Sequence, residues 1–535
     1  VCASLQKENP VWAPNVNAIK GLFIFLCFAI LSAGCQRAGQ RDAAADATTL
    51  RTAFEAKPSR IDPRFSVDAY SARIQSLLFA SLVRQGADGG FRPYLASGWV
   101  WTDDRTCTFQ LREGFGFSNG APVRASDVVA TYRAILGPDS GSPRRATLSS
   151  VVAIEAEGDG VVRFRLSTPD AAFLEGATVG VLPAAQANDS VIEPAGLVSS
   201  GPYRVASVDR DGSVHLVANP YFRHAPVPIP RIEIRIIPDA LTRVLELRKG
   251  SIDLVQSAID PDTVDWLERE DTDLRVTRTS SANFQYLGIN LTQPLLSDVR
   301  VRRAIAYAID RNAIVGAVLN DQALVASSLL PPEHWAHARH VRTYEYDPAH
   351  ARTLLDLAGL RDPDGEGPLP RVTFSFKTTT DDLSRRIAEV LAAQLGEVGI
   401  GLEIRSYDWG TFFGDIQRGE FHLYSLQWVG IGDPDILRQI LHSTMRPPTG
   451  SNRGGFIDRR TDALTERARA ETGIPARRRL YGRIERRVSR LLPYIALWWP
   501  QRIVVSSRRL TDFRPHPAGD LLGLLDARLQ SPLTE

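Results

Sequence analysis

Cysteine is scarce: the 535 residues hold four, Cys2, Cys27, Cys35 and Cys107. Cys2 and Cys27 fall in a segment expected to be removed and Cys35 at a modification site, so Cys107 remains as a lone thiol and a disulfide framework is excluded from the mature chain. Catalytic signatures are missing too. The chain has no His-Glu-x-x-His pair and no glycine-rich phosphate cradle, which leaves an envelope hydrolase with little to rest on. The apolar run from Gly21 to Leu31 is shorter than the ~20 residues a stable membrane-spanning helix needs. Lysine is also rare, and arginine carries most of the positive charge. Acidic residues balance it to a net +2 and no basic block stands alone, which argues against nucleic acid as a partner. Repeats of solenoid length are absent, so an array architecture is excluded.

The length suggests two or three domains, and the apolar (44%) and charged (23%) fractions are those of a soluble globular protein. Lys20 precedes the apolar run, and Ser32-Ala33-Gly34-Cys35 follows it. Small residues directly before a cysteine resemble a bacterial lipobox, with Ser32 at a position where Leu is more usual. Residues 1–34 are therefore expected to be a lipoprotein signal peptide, with Cys35 acylated as the first mature residue. Val1 stands as an alternative initiation codon, or translation starts at Val16. Residues 35–49, polar and alanine-rich, read as a tether.

Further along, Thr106–Leu111 alternates, with Cys107, Phe109 and Leu111 on one face, the period of a half-buried strand. A thiol on such an apolar face is a poor nucleophile, because burial raises its pKa. Asn119-Gly120 and Pro122 are turn chemistry. A helix is expected next, capped by Ser126, with Asp127 at the positive end of its dipole and Val128, Val129, Tyr132, Ile135 and Leu136 on one face. The run from Ala72 to Val83 also has a helical pattern. A strand at Arg231–Ile237, a helix at Leu241–Arg248 and a strand from Asp253 to Val255 predict a βαβ unit with parallel strands and a right-handed crossover. A comparable unit spans Val372–Phe376, the stripe from Leu383 to Val398, and Gly401–Tyr407. Two such units far apart imply two α/β lobes rather than one extended sheet.

Trp99, Asp103-Asp104, Phe109-Gln110-Leu111-Arg112-Glu113-Gly114, Asn119-Gly120, Pro122 and Asp127-Val128-Val129 together resemble the signature of family 5 solute-binding proteins, the peptide and nickel receptors of ABC importers. Gly201-Pro202-Tyr203, Asn219-Pro220-Tyr221, the segment from Val299 through Arg302-Arg303-Ala304-Ile305 to Arg311, and Tyr346-Asp347-Pro348 extend the resemblance over nearly all of the mature chain. It implies a two-lobed periplasmic-binding-protein type II-like α/β fold (cluster C) with an extra subdomain in the first lobe. By analogy, lobe I takes residues 50–280, with the inserted subdomain at about 71–196. Lobe II takes 281–496, and residues 497–535 return to lobe I. The implied function is capture of a small solute, a dipeptide or oligopeptide first, in an interlobe cleft. Delivery would be to ABC permease subunits by a lipid-anchored monomer outside the cytoplasm, without cofactor or catalysis. Alternatives are an envelope sensor without transport, or binding of an oligosaccharide or a metal chelate.

Interlobe clefts are usually lined by aromatic residues with a few placed polar groups. On the second lobe these are Phe284, Tyr286, Trp409 and Trp428, then Asp433 in the loop that resembles the family's Trp-to-Asp-Pro segment, and Asn452 and Arg453 after a proline-rich turn. Peptide-binding relatives place an aspartate where this chain has Ile431. They place an Arg and a Tyr where it has Lys377-Thr378-Thr379-Thr380, so Lys377 is left to offer a charge without the bidentate fork of arginine. His334, His337 and His340 have a spacing that suits metal ligation, but follow Pro331-Pro332 in a segment that reads as a loop.

Overall fold

The computed structural model describes residues 48–66, 68–257, 259–365 and 367–530. The expected signal peptide, lipidation at Cys35 and the tether up to residue 47 lie outside them. Among the described residues no helix is long and apolar enough to cross a membrane.

Strand β1 (Thr49–Phe54) opens the first lobe and α1 (Ala69–Leu78) packs against it, Asp68 accepting the Ser71 N–H as its cap. The helical pattern expected to run to Val83 stops at Leu78. Phe79 is extended (φ −128°, ψ 140°), Ala80 N–H donates to Ser200 Oγ (3.0 Å), and Val83 begins a strand. Leu77 to Val83 is almost continuously apolar, a pattern that fits a buried helix and a buried strand equally; pairing partners distant in sequence decided between them.

The hairpin β2 (Val83–Gln85) and β3 (Phe91–Pro93) leads into an antiparallel sheet of β4 (Ala96–Trp101), β5 (Thr106–Leu111), β6 (Val151–Glu157) and β7 (Val161–Leu166), in the order β4-β5-β7-β6. Helix α2 (Ala125–Leu136) covers this sheet. Its cap differs from expectation. Arg124 is the N-cap, its N–H donates to Asp127 Oδ2 (2.8 Å), and Ser126 lies inside the first turn. Asp127 Oδ1 also accepts Ala184 N–H (2.8 Å), so one carboxylate holds the helix start and a neighbouring segment. These strands form a core of their own, drawn from Ala80 to Val181 with Phe222 added, separate from the one around Leu50, Ile74 and Tyr203. Cys107 lies in the first of these, and burial pushes its thiol far up.

The chain then adds β8 (Tyr203–Val208), β9 (Val214–Ala218), β10 (Arg231–Ile236), α3 (Ala240–Arg248), β11 (Leu254–Gln256), α4 (Pro261–Glu270) and β12 (Leu274–Ser280). The expected βαβ strands are parallel but not adjacent: β1 lies between them, pairing Thr49–Phe54 with β10 and Thr52 with Leu254. In the second lobe come β13 (Phe284–Ile289), α5 (Val299–Ala308), β14 (Ala323–Val325), β15 (Val372–Thr379), α6 (Asp382–Gly396), β16 (Ile400–Tyr407), α7 (Trp409–Arg418) and β17 (Leu423–Trp428). Here β15 and β16 pair directly and in parallel around α6, as expected. Helices α8 (Arg459–Ala470) and α9 (Ile474–Leu491) follow, and then β18 (Tyr494–Ser507).

Strand β18 joins the lobes. Its 14 residues pair with β13 and β14 up to Pro500, and with β12 and β11 from Gln501 onward. The fold has two lobes, yet their sheets form one hydrogen-bonded ladder of 12 strands through this single strand. The change of partners falls at Pro500, past the residue 496 taken as the end of lobe II. A second crossing, Ser281 to Asn283 between β12 and β13, runs beside it, and Ser281 Oγ donates to Pro500 O.

Candidate functional site

Aromatic residues on β13 and β17 build one wall. Phe284 pairs in register with Trp428, and Tyr286 stacks on the Trp428 ring (6.1 Å, 10°) and on Phe284 (6.0 Å, 5°). The Tyr286 and Tyr424 hydroxyls are 3.2 Å apart. Tyr424 lies across Gly288, where a Cβ would stand 2.2 Å from its ring, so glycine is required for that approach. Burial pushes the Tyr286 phenol well above its ordinary value and Arg453 opposes the shift, so the hydroxyl stays neutral.

Arg453 completes the group. Its loop is pinned by Asn452, whose Nδ2 donates to His442 O (3.1 Å) and Phe456 O (2.8 Å) while Oδ1 accepts Phe456 N–H (2.9 Å). The Arg453 guanidinium thereby lies 4.7 Å from the centre of the Trp428 ring and 5.2 Å from that of Phe413, and Nη1 donates to Tyr286 Oη (3.0 Å). Phe413 stacks in turn on Trp409 (5.3 Å, 12°), which is 58% exposed at the start of α7, a helix capped by Asp408. A ladder therefore runs from solvent inward: Trp409, Phe413, Arg453, Trp428, Tyr286. The cavity behind it, about 30 Å³, has room for about one water. What the ladder can offer a solute is its open edge. No described carboxylate pairs with Arg453, and its buried Nε has no partner.

This edge continues into the seam between the lobes. Val429 and Gly430, after Trp428, are exposed; Ile431 N–H donates to Ala282 O (2.7 Å), and Gln85 Nε2 in lobe I donates to Ile431 O (3.0 Å). Trp335 N–H donates to Asp88 O (2.9 Å) beside Gly89, where φ is +74° and a Cβ would stand 2.3 Å from the His334 ring, so no side chain fits. Arg469 bridges the lobes, donating to Asp170 (2.6 Å) and Asp435 (2.8 Å). Arg386 meets Asp260 (3.2 Å) and Asp262 (3.3 Å) at the other end of the seam.

Of the residues singled out from sequence, Tyr286, Trp409, Trp428 and Arg453 come together. Asp433 does not join them. It is 2% exposed and held in a bidentate pair with Arg477 (2.8 and 3.1 Å), so its charge is satisfied inside lobe II. Asn452 serves the loop backbone and supports Arg453 from behind. Lys377 is corrected likewise: its ammonium is buried against Asp415 and lies over the Tyr407 ring (5.2 Å), leaving no charge for a ligand. His334 and His337 face backbone, and His340 is exposed. His334 Nδ1 accepts Ala336 N–H (3.1 Å), which makes Nε2 the donor to Gly432 O (2.9 Å), and burial lowers its pKa. His337 Nδ1 lies 2.8 Å from Leu330 O. Among the described residues no group of three acidic, histidine or cysteine side chains is arranged to hold a metal.

Sequence reasoning missed Phe413, Tyr424, Gln85 and the pair Asp170–Arg469. Nothing local marks them: Asp170 and Arg469 are 299 positions apart, and Arg469 and Arg477 sit in helices crowded with surface arginines.

Comparison with known proteins places the chain. The profile for bacterial extracellular solute-binding proteins, family 5 Middle, matches residues 90–444. A probable di/tripeptide-binding protein 5 from Pseudomonas aeruginosa is 28% identical over 507 residues, 89% of this chain and 94% of that one. Heme-binding protein A from Haemophilus influenzae is 26% identical over 84% of this chain and 86% of its own length. Among solved structures, the ABC transporter substrate-binding protein CtaP from Listeria monocytogenes superposes with a TM-score of 0.81 over 90% of this chain and 99% of that one, at 23% identity.

Proposed function

Because the chain belongs to the bacterial extracellular solute-binding proteins of family 5, a family of receptors that bind a solute and leave its covalent bonds intact, we propose that it captures a peptide-like solute for an ABC importer. The acceptors are permease subunits, and the receptor works as a monomer held outside the cytoplasm by a lipid on Cys35. The ligand-binding residues are Tyr286, Trp409, Trp428 and Arg453, with Asn452 positioning the last of them.

The observation that carries this reading is Arg453, a guanidinium stacked on Trp428 and Phe413 with no ion pair to a carboxylate among the described residues. It stands where β17 runs into the loop that meets Gln85 of the other lobe. Stacking orients the fork and leaves N–H groups for a carboxylate, which arginine binds bidentately. A solute held there gains affinity as the lobes close and water leaves, provided the closed form binds it more tightly than the open one. The peptide class is supported by the named relatives and by this acid-accepting group.

Native mass spectrometry of the receptor as purified, followed by calorimetry with di- and tripeptides and their C-terminal amides, tests the reading. A bound peptide mass, and at least tenfold weaker binding of the amides, is the expected result. Binding of amides and free acids with equal affinity overturns the role of Arg453, and failure to bind any peptide overturns the ligand class.

A further inference from the structure

Helices α8 and α9 pack side by side and leave a groove of about 290 Å³ on their outer surface, lined by Arg460, Arg483, Arg486, Arg487 and Arg490 over Leu464 and Leu491. Arg487 is paired bidentately with Asp458 (2.6 Å to each oxygen). None of the other four forms an ion pair with a carboxylate among the described residues, and Arg486 feels Glu485 only across the helix. Glu485, the single acidic residue of α9, points the other way, its oxygens accepting the N–H groups of Leu330 (3.3 Å) and Ala338 (2.9 Å). Arg486 lies low on the helix over Gly482, its Nη1 3.3 Å from the position a Cβ would take. On α9, Arg483, Arg486 and Arg490 are spaced by three and four residues and face the same way, which without a counter-ion is repulsive.

We propose that this groove is a binding site for a phosphate-bearing anion, separate from the solute edge at Trp428. Guanidinium groups stay charged at any physiological pH and match phosphate oxygens two at a time, so four of them converging on one concavity select phosphate over a lone carboxylate. The leucine floor suits the carbon skeleton of a phosphate ester. The same chemistry is presented by an anionic phospholipid headgroup and by a soluble polyphosphate.

Both sources are tested on the full chain at about 50 mM salt, where phosphate contacts are strong. One arm titrates pyrophosphate by calorimetry; the other measures co-sedimentation with phosphatidylglycerol vesicles against neutral phosphatidylcholine vesicles. The variant Arg483→Gln/Arg486→Gln/Arg490→Gln is compared with Arg204→Gln/Arg210→Gln/Arg361→Gln, which removes equal charge from exposed positions elsewhere. The expected result is binding in at least one arm, weakened at least tenfold by the groove variant and less than twofold by the control; the arm that responds identifies the source. Arg483→Gln alone, at an exposed position, should weaken binding about threefold if the triple variant unfolds. Absence of binding in both arms, or equal losses in groove and control variants, overturns the proposal.

Discussion

Arg477 and Arg453 occupy nearly the same surroundings and do opposite things. Arg477 lies 5.6 Å from the Trp335 ring centre and 5.4 Å from that of Tyr481, with the Tyr481 hydroxyl at 3.2 Å. Arg453 lies against Trp428 and Phe413, with the Tyr286 hydroxyl at 3.0 Å. Two aromatic rings and a phenol hydroxyl meet each guanidinium, the hydroxyl belonging to one of the two rings at Arg477 and to a third residue at Arg453. The difference is Asp433, which meets Arg477 with both oxygens and allows it to be 2% exposed. Arg453 has no such partner and stays half-buried at an edge. A guanidinium can be withdrawn from water only when other acceptors replace the solvent, a carboxylate at Arg477 and backbone carbonyls at Arg302 and Arg311; Arg477 thus fastens the core, while Arg453 has neither set complete and keeps its charge for a molecule from outside.

Breaking the finished pair should give the largest effect. Asp433→Ala leaves a buried charge unpaired and should cost about 3–5 kcal/mol of unfolding free energy in denaturant titration; a loss no greater than at a surface site would erase the distinction. Arg453→Gln should leave stability within about 1 kcal/mol of the parent. Its cost should appear in calorimetry as a 10- to 100-fold loss of affinity for a carboxylate-bearing solute, about 1.4–2.7 kcal/mol.

Acid groups near the fastened core sharpen the contrast through pH. Burial pushes Glu485 up to about 8 against the pull of its two N–H donors, and pushes Asp435 up to about 7, opposed by Arg469. Both bind a proton in the folded chain at a pH where the unfolded chain has released it. The slope of unfolding free energy with pH is therefore negative: their contribution is fullest below the unfolded values near 4 and drains away as pH climbs through about 7 to 8. Glu485→Gln should flatten the decline in thermal stability between about pH 5 and 9, whereas Arg453→Gln should leave that profile unchanged. The smallest change is expected from Trp409→Ala, which removes an exposed ring stacked on Phe413. Stability should move by about 0.5 kcal/mol or less, and solute affinity should fall only a few-fold, as for loss of one aromatic stack. An affinity loss as large as that of Arg453→Gln would show that the aromatic edge, rather than the charge, selects the solute.

Local chemistry alone determined a good deal. The alternation from Thr106 to Leu111 and the helical stripe from Leu383 to Val398 were readable because strand period and helix period act over a few residues, whereas the cap of α2 fell to Arg124 rather than Ser126. Two distant βαβ patterns implied two lobes, and the composition usual for an interlobe cleft singled out Tyr286, Trp409, Trp428 and Arg453 as candidates. What proximity in sequence cannot express was settled by folding: whether Leu77–Val83 is helix or strand, that β1 lies between β10 and β11, and that one strand carries the ladder across both lobes. The same holds for charge. Asp433, Lys377 and Arg453 are equally plausible ligand anchors as letters, and only the arrival of Arg477 and Asp415 from distant segments took two of them out of contention. An ionised side chain is available to a ligand when neither an opposite charge nor a full set of hydrogen-bond acceptors of its own chain reaches it, and that depends on which distant residues folding brings alongside.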